Sequence, residues 1–416
     1  MEPAILGPFI RGFENIQQEI VQHLVGTAIS EKVFHRMKLL RENGGLGLGF
    51  LTEIAHASFV ASLVGVQHSL QSAQIDLRDT SISIIENLQI SINFMKDRIP
   101  TLTLDNVWKE VASSGETLQS TFTSKLTAKK LDEYLVIING AEDKREIVNM
   151  HATIDPHAGA WITVIAKTDL LTMTDLEVKV ALSYRFHLMQ VISPTNVRCN
   201  CGYGFLDAYA GHLLNCSKGG GHQATHDALK TSICSFSNYS GFRCRMEVQN
   251  ELMGDGMRAD MTYVRGSLKA RTTLTDVTVI NPNSGRNKAD CCRQTPEMLA
   301  KKGWAAQRAA DAKNRKYRSV CAANDSEFIP LVFESTGHMH KDLLDLITTI
   351  TDHAAEIRKI PAHVLRNYYI NTLSVTLHRC TAQAMIRRSA QIQGNSILPA
   401  LQYTMSYDSI MHHDDA

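Results

Sequence analysis

The chain has no apolar run approaching the roughly 20 residues that a membrane span requires, and no charged N-terminal segment leading into an apolar core and small-residue cleavage site. Membrane insertion and secretion are thereby set aside, and an intracellular protein is expected. An excess of either charge is also missing: 43 Lys and Arg stand against 42 Asp and Glu, a formal net charge of +1. With no bulk positive field, a nucleic-acid partner has to be held by local basic faces. Internal repeats and low-complexity segments are absent as well, so neither a repeat array nor a disordered chain is expected. What is present, 44% hydrophobic and 20% charged residues over 416 positions, suits two or three ordinary globular domains. The nine cysteines are odd in number and bunch toward the middle of the chain, which argues against a disulfide framework and for metal binding in a reducing compartment. Cys234, Cys244, Cys291, Cys292, Cys321 and Cys380 then read as buried or incidental thiols.

Apolar residues recur at helical spacing across 9–40, as in Phe13, Ile16, Ile20 and Leu24, and the run stops at Asn43-Gly44-Gly45, which predicts two helices. Helical stretches over 54–66 and 80–94 follow until Pro100 breaks the pattern, so the first hundred residues read as a helical bundle. Further helix is predicted over 106–126 and 131–148, then a short β-branched strand over 161–165, then an amphipathic helix over 175–191 that Pro194 ends. Beyond the cysteines the spacing predicts helix 222–236, strands 243–251, 258–264 and 271–280, helix 295–318, strand 328–334, helix 341–357 and one or two more helices over 360–393. The expected class is α+β. A mainly helical region spans 1–193, a zinc knuckle 194–221, a mixed sheet covered by helices 222–358, and C-terminal helices and tail 359–416.

The knuckle rests on Cys199-x-Cys201 followed by His212 and Cys216. Three thiolates and an imidazole are the set that a tetrahedral structural zinc ion prefers. Cys-x-Cys fits a hairpin, and His212 and Cys216 at i, i+4 share one helix face. Gly202, Gly204 and Gly211 give the backbone room to wrap an ion, and His222 and His226 are alternative ligands.

Downstream, strand alternation groups Asp260 with Thr262 and Asp276 with Thr278, while Met261, Val277 and Val279 turn to the opposite, apolar face. Two carboxylates brought together on adjacent strands repel unless a divalent cation sits between them. Magnesium, which takes one or two carboxylates plus phosphate oxygens, meets that need. Glu251 is the candidate for completing the cluster, with Glu247 as its alternative. On helix 295–318, Leu299, Gly303, Ala306, Ala310, Lys313 and Tyr317 form one stripe. Its small residues let the helix approach the sheet, so that Lys313, with Lys316 as its rival, reaches the acids and stabilises charge on a phosphate. Lys301, Lys302, Arg308, Arg315, Lys316 and Arg318 make the same segment basic enough to lie along a nucleic-acid backbone, and Arg258 adds a cation beside Asp260. His226 shares a helix face with Leu229 and Ile233, where it can contact phosphate.

Together these residues resemble the C-terminal part of non-LTR retrotransposon polyproteins that carry a restriction-like endonuclease of the PD-(D/E)xK type. In that family a Cys-Cys-His-Cys knuckle precedes a basic-residue/His element, a Lys/Arg-Pro-Asp and a further acid. Cys199, Cys201, His212 and Cys216 resemble the knuckle, and His226 stands at the histidine element. Arg258-Ala259-Asp260 is similar to the Pro-Asp element, and Asp276 to the last acid. The chain departs from the pattern at three places. Ala259 replaces the proline, Thr225 stands where a basic residue would precede the histidine, and Thr278 occupies the place where many such nucleases have a lysine. A lysine from the following helix must then serve.

Gly44-Gly45-Leu46-Gly47-Leu48 resembles the segment after the reverse-transcriptase domain, and Phe328-Ile329-Pro330-Leu331-Val332-Phe333-Glu334 resembles the strand after the nuclease helix. The likeness runs from about Phe9 to Arg388, without the aromatic-x-Asp-Asp strand of the polymerase. It implies a restriction-endonuclease-like domain with structural zinc and catalytic magnesium. It also implies nicking of target DNA in the nucleus to prime reverse transcription, with DNA and the RNA of the parent element as partners. Without a polymerase only the nicking step is open, and the chain is expected to be a fragment of a longer element or a gene that keeps its tail. The competing class is a catalytically degenerate zinc-knuckle protein that binds nucleic acid.

Overall fold

The computed structural model describes residues 3–71, 82–107, 118–193, 197–202, 204–206, 211–216, 221–247, 259–264, 272–283 and 301–394, with positions 74, 76, 208, 209 and 218. The N-terminal half is helical: α1 (Pro3–Val25), α2 (Glu31–Lys38), α3 (Leu51–Gln71), α4 (Ile82–Lys96), α5 (Leu104–Val107), α6 (Leu118–Asn139), α7 (Lys144–Thr153) and α8 (Asp175–Arg185). Local signals start several of these. Ser30 caps α2 by accepting the Val33 amide, and Thr174 with Glu177 forms a reciprocal capping box on α8. Helices α3, α4 and α6 then close around Val60, Leu88, Ile92, Met95, Phe122 and Leu126.

The glycine stop after α2 is a seat for two buried arginines. A Cβ at Gly45 would lie 2.0 Å from the Leu39 carbonyl oxygen, so only glycine lets the chain fold back there. The exposed carbonyls of this turn are then used. Arg36 donates to Gly44 O, and also to Asn149 Oδ1 (3.0 Å), Thr153 Oγ1 (2.8 Å) and Arg185 O (2.9 Å). Arg185 donates to Gly45 O (3.2 Å), Arg41 O and Ala158 O. Burial, with Arg36 and Arg41 nearby, lowers the Arg185 guanidinium to about 9. Neutral oxygens hold both groups, leaving Arg185 Nε without a partner among the described residues, so breaking the turn would strand two cations in the interior.

A two-stranded hairpin, β1 (Arg198–Cys199) and β2 (Gly204–Phe205), precedes the short helix α9 (Gly211–Asn215). Helix α10 (Gly221–Tyr239) leads into a four-stranded sheet of β3 (Cys244–Met246), β4 (Met261–Val264), β5 (Thr272–Ile280) and β6 (Ser326–Glu334). The spatial order is β3-β4-β5-β6, antiparallel except for the parallel β5–β6 pair. A parallel pair needs a crossover, and α11 (Trp304–Ala323) supplies it. The architecture is α+β with a mixed sheet, as the order of elements predicts. Helices α10, α12 (Lys341–Arg358) and α13 (Ala362–Gln393) cover one face through Leu229, Ile233, Val277, Phe333, Leu343 and Leu373. On the other face α11 packs through Ala306, Ala310 and Tyr317 onto Val332, Leu274 and Phe328. Among the described residues no helix is long and apolar enough to cross a membrane.

The structure departs from the sequence reading in several elements. Residues 161–165 form no strand: Ala160–Thr163 is a 3-10 turn, held by a Trp161 amide donating to Ser374 Oγ (3.2 Å) and by the Trp161 ring stacked on His378. The helix expected over 175–191 ends at Arg185, because His187 takes a left-handed φ of 52° and stacks on Tyr209. Of the strand expected over 243–251, β3 covers Cys244–Met246 and Glu247 turns left-handed, while 248–251 lie outside the described residues. The basic helix starts at Trp304, so Lys301 and Lys302 precede it, and 295–300 lie outside the described residues; 360–393 holds one helix, within the one or two expected. Contacts also cross the division near residue 193: Tyr184 of α8 hydrogen-bonds Asn281 and Ser335, and Asp155 holds His338 and Lys302.

Helices α10 and α13 pack tightly at Gly221, where a Cβ would lie 2.4 Å from the Ala384 Cβ. Gly221→Ala is therefore expected to destabilise the fold by about 1–3 kcal/mol in urea unfolding, since neither helix backbone can give way freely. Adding Ala384→Gly should recover part of the loss; additive effects would show that the two helices do not meet there.

Candidate functional site

Strand register sets the backbones of the two aspartates opposite each other, while their side chains are held from opposite faces of the sheet. Met261 pairs with Thr275, so one step further Asp260 comes opposite Asp276. Asp260 lies just before β4, and its side chain departs from the alternation expected of it: it turns to the α10 face and not to the α11 face where Asp276 lies. Its carboxylate continues the ladder as a carbonyl would, accepting the Val277 amide at 2.7 Å, while its own amide donates to Thr275 O at 3.1 Å. The amide it takes is the one immediately after Asp276, so the two carboxyl groups flank a single peptide.

Each carboxylate has a cationic partner on a different helix. Asp276 is on the α11 side with Leu274, where Lys313 Nζ lies 2.6 Å from Oδ2 and Thr278 Oγ1 donates to the same oxygen. The small stripe of α11 makes this reach possible, since Ala306 and Ala310 are fully buried against the sheet. Lys316, the rival lysine, instead places its ammonium 4.7 Å from the Tyr317 ring. Asp260 turns to α10, where His226 Nε2 lies 2.9 Å from Oδ2. The other ring nitrogen of His226 is 3.1 Å from Asp227, which also holds Lys230, and Lys230 reaches on to Glu247. Glu247, the alternative third acid, is thus tied to Lys230 on α10.

The hydrogen bond from Asp260 raises His226 above its ordinary value, against the opposing effect of burial, with Asp227 adding to it. Burial pushes Asp260 up, but His226 and the Val277 amide outweigh it and hold the carboxyl below its usual range. Sequence reasoning did not name Lys230 or the Val277 amide. Lys230 is legible in retrospect, four residues after His226 on one helix face. The amide carries no sequence signal.

The remaining expected residues scatter. Lys302 bonds Asp155 at 3.1 Å, Lys301 is exposed, and Arg308 lies over the Trp304 ring at 5.3 Å on the exposed side of α11. Glu251, Arg258 and Leu299 lie outside the described residues.

Some distance along the chain, Cys199, Cys201, His212 and Cys216 offer four ligand atoms within 4.8 Å of one another, the one such group of three or more among the described residues. Cys199 Sγ and Cys216 Sγ are 3.6 Å apart, and Cys201 Sγ is 3.1 Å from His212 Nε2. A disulfide would need roughly 2.05 Å. Ligand sulfurs on a tetrahedron with bonds of about 2.3 Å sit roughly 3.8 Å apart, so this spacing suits a shared ion. The cluster could hold a metal ion. It is built from β1, the β1–β2 turn and α9, and it packs on Tyr184 of α8 and on Ala382 and Met385 of α13. His222 and His226, the alternative ligands, belong to α10 instead. No protein-family model matches the chain, and no curated protein matches it.

Because the folded His226 value is raised, its pairing contributes stability that is complete below the unfolded value of about 6.5 and is lost as pH rises through the folded one. In cation-free buffer the His226 ring should titrate above a free histidine by NMR. Asp260→Asn should bring it down; an unchanged midpoint would show that the carboxylate is not its partner.

Proposed function

We propose that the chain is a metal-dependent DNA endonuclease of the restriction-like type, derived from a non-LTR retrotransposon. One observation carries this reading: Lys313 of α11 meets Asp276 at 2.6 Å, while register sets Asp260 opposite it. Two acids on neighbouring central strands with an ammonium beside them is the arrangement that phosphodiester hydrolysis needs. The order helix, three strands, helix, strand around a mixed sheet supports a restriction-like core, by analogy of fold.

The donor sets suit the two expected metals. Three thiols and an imidazole suit structural zinc. Magnesium takes one or two carboxylates, its other positions falling to water and phosphate oxygens, and these two stand on adjacent strands though they are held from opposite faces. Asp260 and Asp276 would hold it, and when bound it supplies an activated water and charge for the leaving oxygen. The chain's own part is positional. Lys313 exchanges Asp276 for a phosphate oxygen as charge builds there, and the Val277 amide and His226 keep Asp260 aimed. The exposed Arg308, Arg315, Lys316 and Arg318 of α11 give the DNA backbone a basic track. A DNA substrate makes the nucleus the place of action, with the parent element's RNA as a second partner.

A second reading, a degenerate binder, is favoured by the fact that both carboxylates already carry cations from the protein. Supercoiled plasmid separates the two. With magnesium, the protein should nick it, and Asp260→Ala or Asp276→Ala should abolish nicking. Lys313→Ala should slow it about 100- to 1000-fold, the cost of one lost transition-state donor. Plasmid that stays intact while gel shifts persist in all three variants would establish the binder.

A further inference from the structure

Arg388 of α13 is buried at the metal cluster. Its Nε donates to Cys216 Sγ at 3.2 Å and its Nη2 to Cys199 Sγ at 3.1 Å and to Asn200 Oδ1, while Nη1 holds Gln391 Oε1 at 3.2 Å. Both sulfurs are buried. A divalent ion with three thiolates and a neutral imidazole leaves one net negative charge there, and burying it without a partner is costly. The guanidinium supplies the missing positive charge. Its planar fork spans two ligands that arrive from different elements, β1 and the end of α9, which a point-charge lysine cannot match. The same helix packs on α10 at Gly221 and on the sheet through Leu373 and Leu377.

We propose that Arg388 is the positioning residue of the metal centre, bridging two of its thiolates and fastening the centre to α13, so that the knuckle serves as a clasp on the sheet domain. This rests on the zinc reading of Cys199, Cys201, His212 and Cys216. Groups that orient metal ligands typically carry a 10- to 100-fold share of affinity.

The test uses the full chain, with zinc affinity measured by competition with a chromophoric chelator and with cobalt(II) as a spectroscopic probe. The parent should bind one zinc. Arg388→Gln should weaken it by about 10- to 100-fold. It should also move the thiolate-to-cobalt absorption to lower energy, because the sulfurs lose their hydrogen bonds, a shift that mere loosening of the fold would not give. Arg388→Lys should fall between the two, and Arg387→Gln, the same charge change one residue away, should match the parent. If Arg388→Gln does not accumulate as folded protein, Arg388→Lys decides by the same two readouts. Chelation of the parent should speed amide exchange along 381–393.

Parent-like affinity and absorption in the Arg388 variants would overturn the role of Arg388 and leave zinc standing. Exchange indifferent to chelation would overturn the clasp. A parent that binds no zinc would overturn both proposals.

Discussion

Helix α13 is buried along most of its length although it carries Thr372, Ser374, His378, Arg379, Gln383 and Arg388 in the interior. Each such group costs roughly 2–7 kcal/mol to bury without a hydrogen bond, so their partners decide where the helix can sit. Thr372 and His378 bond within the helix, and the other partners lie far back along the chain, between Trp161 and Cys216. Ser374 takes the Trp161 amide, Arg379 bonds the carbonyls of Asp169, Leu170 and Thr172, and Gln383 donates to Glu177 at 2.7 Å. Apolar burial of Leu373 and Leu377 supplies driving force but tolerates sliding; the polar bonds do not. A shift of one residue would break them together. Because α10 abuts this helix at Ala384, the position of His226 over the sheet inherits the same register.

At the other end of that chain of contacts, two carboxylates flank one peptide. Like charges on adjacent strands repel, and less where solvent reaches them. The protein offsets the repulsion by bringing a cation from each face, His226 from α10 and Lys313 from α11. Under the nuclease reading this balance is what makes the site exchangeable. An incoming phosphate competes for Lys313, and the carboxylate it releases is free for a metal ion.

Much of the sheet domain was legible in the sequence because its signals are local. Alternation in Thr272–Ile280 and the small stripe of α11 foretell both the strand and the reach of Lys313. Cys-x-Cys and His-x-x-x-Cys likewise foretell a gathered cluster. What stayed hidden depends on partners far along the chain. The run at Trp161 is β-branched enough for a strand, yet among the described residues no strand pairs with it, and Ser374 and His378 capture it as a turn. The helix from Asp175 has apolar spacing past Arg185, but His187 is drawn to Tyr209 and Asp143 instead. Arg388 reads as one basic residue among several on a terminal helix, and only the fold sets it on two thiols 172 and 189 residues back.

Two of the three departures from the restriction-like pattern belong together in three dimensions. Ala259, where that pattern has proline, is fully buried beneath α11 with Leu274 and Tyr317. A small side chain there suits the close seat of Tyr317, and Lys313 lies one turn earlier on the same helix face, over Asp276. Thr278, standing where a strand lysine would be, donates to the Asp276 oxygen that Lys313 also holds. A lysine on the strand at 278 would have crowded the ammonium already arriving from α11, and like charges at that range repel. Within the proposed reading, then, alanine and threonine are what a site with a helix-borne lysine requires, and their presence does not by itself argue that the catalytic arrangement has decayed.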